Sequence, residues 1–505
     1  MKFRNWYYLL TVLSFTALFY KQEAGINVFL FAGLLLTLSG LMNTTNWKKK
    51  EWLTIASGTL FSSVFVAIYA NSLTIMMSLI SILILVILQR SKNTSYGVAL
   101  GSGMISVFGS LVFMVLGINY AQKLKQARKT QILKKTNRRG PVFVVVIVSF
   151  LFLSLYREVN PIFDAYFASL LGNIEWGWIF FTLFGSVILY SFFFPPRILM
   201  KLLKIEDSYG KTLGDNHPKP KYSFIINLFA NFENERYSAF MMFGILNLLL
   251  LFLNITDFNY LFLKGELPKG ITYSDYVHSG VGAVIVSIIL AIALIIYYFR
   301  GQMNFDPQSK NIKTLVFIWI AQNMFLILMA TFKNQLYIDA YSLTFLRIGV
   351  YYYLGFSTLG LLLTLYKIYC KKDTWFLFRS NSFGFYILLV LSCAINWSAI
   401  VTNYNLKNNK EVDLDYIANV GFENYPLLWE REYFESKRHE TFELRLTSKP
   451  EFYDLPNAIG SFLEEYERSG MVSYSYEKEK TYQYFVQLAV SGKLKPCTKE
   501  EEPKE

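Results

Sequence analysis

Histidine and cysteine are scarce in this chain of 505 residues, with three of each. So few histidines argue against a histidine metal centre. Cys370, Cys393 and Cys497 are too scattered for a disulfide framework or a zinc cluster. We therefore expect no metal and no cofactor. Charged residues are also sparse, at 17% against 53% hydrophobic and 18% aromatic. No Walker loop, Gly-x-Ser-x-Gly elbow, metal-spaced histidine pair or Rossmann fingerprint occurs, so no enzyme class is marked.

What the chain has is length of apolar run. Hydrophobic residues fall in blocks near the ~20 residues that a helix needs to cross a bilayer core. A soluble core helix would carry polar residues on one face, and stretches such as 281–299 and 73–89 carry almost none. Spans are expected at 26–42, 52–70, 73–89, 142–156, 178–194, 237–253, 281–299, 314–332, 343–366 and 383–401. A first span at 6–20 follows Lys2 and Arg4, and Tyr20-Lys21-Gln22-Glu23 offers no small-residue cleavage site for a signal peptide. The block 96–118, with Gly97, Gly101, Gly103, Gly109 and Gly117, either spans or is re-entrant, its glycines serving close helix packing. The fold class is thus an all-α integral membrane protein, a bundle of roughly 11 or 12 transmembrane helices.

Charge is divided along the chain. From Thr402 to Glu505 there are 14 Lys+Arg and 20 Asp+Glu, so the +13 total leaves +19 for residues 1–401. Those cations sit in short loops beside apolar runs, as the positive-inside effect and anionic lipid require, and nucleic acid is not needed to explain them. The segment 123–139 holds eight cations and no acid, which makes it the cytoplasmic reference. Alternation then puts 197–236, 300–313 and 367–379 inside, and places 157–177, 254–280, 333–342 and the C-terminal part outside. A short interfacial helix is expected over 162–171, and another over 222–232. We divide the chain into a transmembrane domain (1–401), a small extracytoplasmic polar domain (402–498) and a disordered acidic tail (499–505). Within the polar part, 457–468 reads as a capped amphipathic helix with Ile459, Phe462, Leu463 and Tyr466 on one face.

Polar residues crowd the outer ends of the spans. Arg157 and Glu158 close one, and Asp257 follows another. Tyr273, Asp275, Tyr276 and His278 precede a third. Asp339 and Tyr341 lead into Arg347, about one turn inside the next. Each alone would serve as an interfacial anchor, since tyrosine belts are common and an arginine can snorkel. Arg347 stands apart because an unpaired guanidinium there would be partly desolvated. We expect it to meet a carboxylate (Asp339, Asp275 or Glu158) or several backbone carbonyls. Asn247, Gln322 and Asn323 lie within spans and are expected to bond between helices.

The segment Tyr337-Ile-Asp-Ala-Tyr-Ser-Leu-Thr-Phe-Leu-Arg347 resembles a Tyr-Ala-Tyr-Gly-Leu-Thr-x-x-Arg motif, with Ser342 in place of the more usual glycine. That motif belongs to a bacterial membrane family known as a domain of unknown function, the four-one-seven-three type. Leu267 to Tyr276 is similar to its Gly-Leu-Thr-Tyr-Ala-Glu-Tyr segment, with Asp275 at the acid position. The stretch from Tyr404 to Pro426 resembles its exit from the last span, and Phe19 to Asn27 its opening hairpin. The likeness runs from about Phe19 to Pro426. It implies a permease-like bacterial inner-membrane protein, and supplies no substrate or catalytic residue.

The functional expectation is a non-catalytic multipass protein of the inner (plasma) membrane. Its outward polar cluster would bind a ligand, a lipid headgroup or a partner protein, as a sensor or accessory subunit. Expected partners are membrane lipids and another membrane or extracytoplasmic protein, with no nucleic acid. A secondary transporter would show ionisable groups near the midplane and broken helices in matched halves. A membrane enzyme on lipid-linked substrates would use Glu158, Asp257, Asp275 or His278 as acid or base.

Overall fold

The computed structural model describes residues 2–91, 94–111, 175–194, 231–263, 273–299, 302–408, 414–430 and 455–491, together with scattered positions between 145 and 163; over 273–280 only the backbone is described. The expectations on 112–144, on most of 162–171, on 195–230 (which includes most of the 222–232 helix) and on the tail at 499–505 lie outside these residues. The described chain is 88% helical and has no strand. Six of its helices are long and apolar enough to cross a membrane: Lys50–Tyr69, Trp176–Phe193, Phe232–Phe262, Pro307–Tyr341, Phe345–Tyr369 and Thr374–Ser392. Ile26–Met42, Ser72–Leu88, Tyr96–Phe108 and Val286–Tyr298 are shorter apolar helices.

The helices sort into two compact units. The first comprises α1 (Lys2–Phe19), α2 (Ile26–Met42), α3 (Lys50–Tyr69), α4 (Ser72–Leu88), α5 (Tyr96–Phe108) and α6 (Trp176–Phe193). The connections are short. Asn71 starts α4 by accepting the Thr74 N–H at 3.0 Å, and the Trp52 indole, almost fully buried, donates to Ser39 Oγ at 3.0 Å to tie α3 to α2. Close packing through glycine is real at Gly103 of α5, where a Cβ would lie 2.4 Å from the Leu83 carbonyl oxygen of α4. Gly101, by contrast, faces open space.

The second unit contains α7 (Phe232–Phe262), α8 (Tyr273–Tyr298), α9 (Lys310–Tyr341), α10 (Phe345–Tyr369), α11 (Thr374–Ser392), α12 (Trp397–Asn408) and α13 (Leu414–Val420). Its core gathers Phe243, Tyr298, Trp319, Ile320 and Leu361 from α7 to α10. Two boundaries differ from the expected ones. Helices α7 and α9 each run nine residues past the predicted span end. The span predicted at 383–401 is interrupted, because Asn396 takes the Ala399 N–H at 3.0 Å and begins α12 as a new helix.

The polarity of α7 is inverted relative to a soluble helix. Leu248 and Phe252 are 69% and 72% exposed, while Asn254 and Asp257 are 5% and 6% exposed. Apolar side chains outside and polar ones inside suit hydrocarbon surroundings and would be untenable in water. This is a multipass membrane protein.

The polar sequence beyond Val401 divides between the units. Helix α13 and the turn Phe422–Asn424 pack beside α12 in the second. Residues from Gly460 onward belong with the first, where α14 (Leu455–Arg468) leads to α15 (Tyr476–Val490), which lies against α3. The amphipathic reading of α14 holds: Ile459 is buried and Phe462, Leu463 and Tyr466 are half-buried, whereas Glu464 and Glu467 are exposed.

Candidate functional site

In the second unit, α7 and α9 share a polar seam. Asn247, Asn254 and Asp257 are spaced by seven and then three residues, which puts them on one face of α7; Gln322 and Lys333, about three turns apart, do the same on α9. Asn247 donates to the Leu315 carbonyl at 3.0 Å and accepts from Gln322 at 3.1 Å. Asn254 donates to the Gln322 carbonyl at 3.1 Å. The seam ends in an ion pair, Lys333 Nζ to Asp257 Oδ1 at 2.7 Å, with both side chains about nine-tenths buried or more. Lys333 stands eight residues before the end of α9, roughly 12 Å along the axis. Neither group would be carried this far into an apolar helix without a partner.

About two turns on, α9 ends in a sharp break. Ser342 has φ 77° and ψ 162°, a conformation that a side chain disfavours. Thr344 then caps α10, accepting the Arg347 N–H at 3.4 Å. The bend leaves the Tyr341 and Ser342 carbonyls pointing at the Arg347 guanidinium, which donates to both, at 2.5 Å for Tyr341. Its Cζ lies 4.3 Å from the centroid of the Tyr337 ring. Of the two partners expected for Arg347, it is the carbonyls that are found.

Asp339 is engaged elsewhere. Its Oδ1 accepts from Tyr404 Oη of α12 at 2.8 Å and from Gln335 Nε2 at 2.8 Å, and Gln335 Oε1 in turn accepts from Tyr351 of α10 at 2.8 Å. Burial first, and then the Asp339 hydrogen bond and charge, push the Tyr404 phenol above its ordinary value. The neighbouring backbone is held just as closely. Asn405 accepts the Leu343 N–H at 2.6 Å and donates to the Leu343 carbonyl at 2.9 Å; the Tyr416 hydroxyl accepts the Phe345 N–H at 2.9 Å. Asn334 donates to the Arg347 carbonyl at 3.1 Å. Segments from α9, α10, α12 and α13 therefore converge on one turn. The cluster they form is partly exposed and rich in tyrosine, with one carboxylate and one guanidinium.

Of the predicted site residues, Asp339, Tyr341 and Arg347 meet here, and Asp257 anchors the seam beneath. Arg157 and Glu158 belong to the first unit, half-buried and exposed respectively. Tyr273, Asp275, Tyr276 and His278 form the first turns of α8, and their side chains lie outside the described residues. Sequence reasoning missed Lys333, Gln335, Tyr351, Tyr404, Asn405 and Tyr416. Lys333 gave a signal, a lone cation directly after an apolar run; Tyr404, Asn405 and Tyr416 gave none, with partners 62 to 71 residues away. Among the described residues no group of three or more His, Cys, Asp or Glu could hold a metal ion.

The sequence model of a family described as a domain of unknown function, DUF4153, matches residues 53–430. No curated protein and no solved structure matches. The match covers well over half of the chain, and the chain belongs to that family. The designation is therefore DUF4153, not the four-one-seven-three type that the motifs suggested; the match takes in both of those motifs and the whole of the α9–α13 cluster.

Proposed function

We propose that this DUF4153 protein is a non-catalytic membrane receptor or accessory subunit, whose α9–α10 turn recognises a polar ligand, a lipid headgroup or a partner protein. The observation that carries this reading is the Gln335–Asp339–Tyr404–Tyr351 network beside the Tyr337–Arg347 stack. Hydrogen bonds from four helices hold that turn in a disfavoured backbone shape while leaving its aromatic and charged groups accessible. A purely structural turn would not need that much support. The described side chains offer a carboxylate, a guanidinium and phenols for recognition, and no nucleophile paired with a base. In the first unit, Arg4, Lys48, Lys49, Lys50 and Arg90 lie at the end opposite the α1–α2 loop, which carries the Gly460–Val490 segment. The positive-inside rule then supports an extracytoplasmic C-terminal segment in a bacterial inner membrane, with roughly 11 or 12 spans.

A photoreactive side chain at Tyr341 tests the reading directly. In membranes, the adduct would be identified as lipid, small molecule or protein by mass spectrometry. The expected result is a defined adduct that Asp339→Asn and Tyr404→Phe each reduce. An adduct profile unchanged by both would leave only an interfacial anchor.

A transporter is the second reading, favoured by the buried Asp257–Lys333 pair at the end of a polar seam. Replacing both residues with uncharged ones separates the two. Complementation of a deletion strain by Asp257→Asn/Lys333→Met is expected if the pair is structural, and its loss would favour transport.

A further inference from the structure

The first unit carries a cavity of about 450 Å³ at the end of α1 where the chain starts, lined by Arg4 and Tyr7 of α1, Asn43 and Asn46 after α2, and Gln89 and Arg90 after α4. No acid lines it. Two guanidiniums share this space, and each is fixed differently. Arg90 is tied from one edge, donating to the Val86 carbonyl at 3.0 Å and to the Phe192 carbonyl. Gln89 donates to the same two carbonyls, at 3.2 and 3.3 Å, which immobilises the loop. Those bonds use two of the five N–H donors of Arg90. Arg4 lies over the Phe194 ring, 4.6 Å from its centroid, and its buried Nε–H has no hydrogen-bond partner among the described residues. Lys49 adds a third cation at the edge, donating to Asn46 Oδ1 at 2.8 Å and to the Gln89 carbonyl at 3.4 Å. Burial, and then the Arg4 charge, lower the pKa of Arg90 to about 9.

Carbonyl capping explains why Arg90 is held. It does not explain a second guanidinium drawn into the same cavity with a buried donor unmet, at a cost in repulsion and desolvation. We propose that this cavity is an anion site for a phosphate ester, gripped between Arg4 and Arg90. Phosphate suits it better than a single carboxylate, because its several oxygens serve two separately mounted guanidiniums. A volume of this size fits a small ligand. Exposed Trp6 and Trp47 on the adjoining α1 and α2–α3 segments suit a membrane interface. The phosphate can thus come from a lipid headgroup or from a soluble ester. The site is independent of the reading of the second unit.

The test uses the full chain in an uncharged maltoside detergent, titrated with phosphatidylglycerol, with glycerol 3-phosphate or with diacylglycerol, and followed by thermal midpoint and native mass spectrometry. Stabilisation by phosphatidylglycerol alone identifies a lipid headgroup, and equal stabilisation by glycerol 3-phosphate identifies a soluble ester. Arg4→Gln and Arg90→Gln should each weaken binding at least about tenfold, the worth of one charge-assisted contact. Lys310→Gln, an exposed cation of the other unit, should leave it unchanged. Arg4→Lys keeps the charge and should still bind more weakly, which covers the case in which a glutamine variant fails to fold. Three results would overturn the site: no response to either phosphate compound, equal binding of diacylglycerol, or a loss on Lys310→Gln as large as on Arg4→Gln.

Discussion

At the scale of single residues, Ser342 and Arg347 form one device. The chain reverses between α9 and α10 through a backbone conformation at Ser342 that glycine adopts freely and serine does not. The reversal turns two carbonyls toward Arg347, which satisfies its guanidinium without a carboxylate. Ser342→Gly should therefore stabilise the protein. Relief of strain worth about 1–3 kcal/mol, less the entropy that glycine adds to the unfolded chain, leaves a gain of about 1 kcal/mol. The thermal midpoint in detergent should rise, and Ser342→Ala should not raise it. A fall on Ser342→Gly would show that the serine side chain contributes more than the backbone costs.

At the scale of helices, the sequence was legible wherever an apolar run ended in ordinary interface chemistry. Helix α2 lies where the pattern put it, because Gly25 and Asn43 bound it cleanly. The apolar pattern ends α7 and α9 early, because Asp257 and Lys333 carry charge of the kind that marks loop residues. Pairing across the two helices offsets the burial of both charges, and a pairing across 76 residues leaves no local trace. The same limit hid Tyr404, Asn405 and Tyr416, whose partners lie 62 to 71 residues away. A double-mutant cycle measures the pairing. Asp257→Asn or Lys333→Met alone should each cost about 3–5 kcal/mol, because each breaks a buried ion pair, and the double variant should recover much of that loss. Folded yield and thermal midpoint in detergent are the readouts. Additive losses would mean that each residue is held by other groups and that the seam does not depend on the pair.

At the scale of the molecule, the polar C-terminal sequence acts as a clamp on the first unit. Between α14 and α15, Gly470 N–H and Ser473 Oγ donate to Gln22 Oε1 at 3.2 and 2.9 Å, Ser473 Oγ accepts the Glu23 N–H at 3.0 Å, and the Tyr474 carbonyl accepts the Ile26 N–H at 2.8 Å. Gly25 sits so close beneath that a Cβ would lie 2.4 Å from the Ser473 and Tyr474 carbonyl oxygens. Beside these bonds, Glu23 meets both Lys478 and Glu465. The hydrogen bond with Glu23, then burial and the Glu23 charge, raise the Glu465 pKa above the ordinary carboxyl value. Burial pushes Glu23 up too, but its bonds from Glu465 and Lys478 outweigh that and lower it. The signs follow from linkage. Stability from Glu465 is complete below its unfolded value and is lost as pH rises through the raised one. Stability from Glu23 is present above its unfolded value and is lost as pH falls through the lowered one. The clamp should thus be tightest near the ordinary carboxyl value of 4.5 and loosen toward neutrality, as a second carboxylate ionises beside the first. A spin label on Met471→Cys, at a side chain 95% exposed, reports this in a background with the native cysteines replaced. Label mobility should increase from mildly acid to neutral pH. Glu465→Gln keeps the hydrogen bond without the charge and should abolish that increase, while Gly25→Ala should give a mobile label throughout. If Glu465→Gln leaves the pH profile as it was, the carboxyl pair plays no part in holding the segment, and the clamp rests on Gln22, Ser473 and the close approach at Gly25 alone.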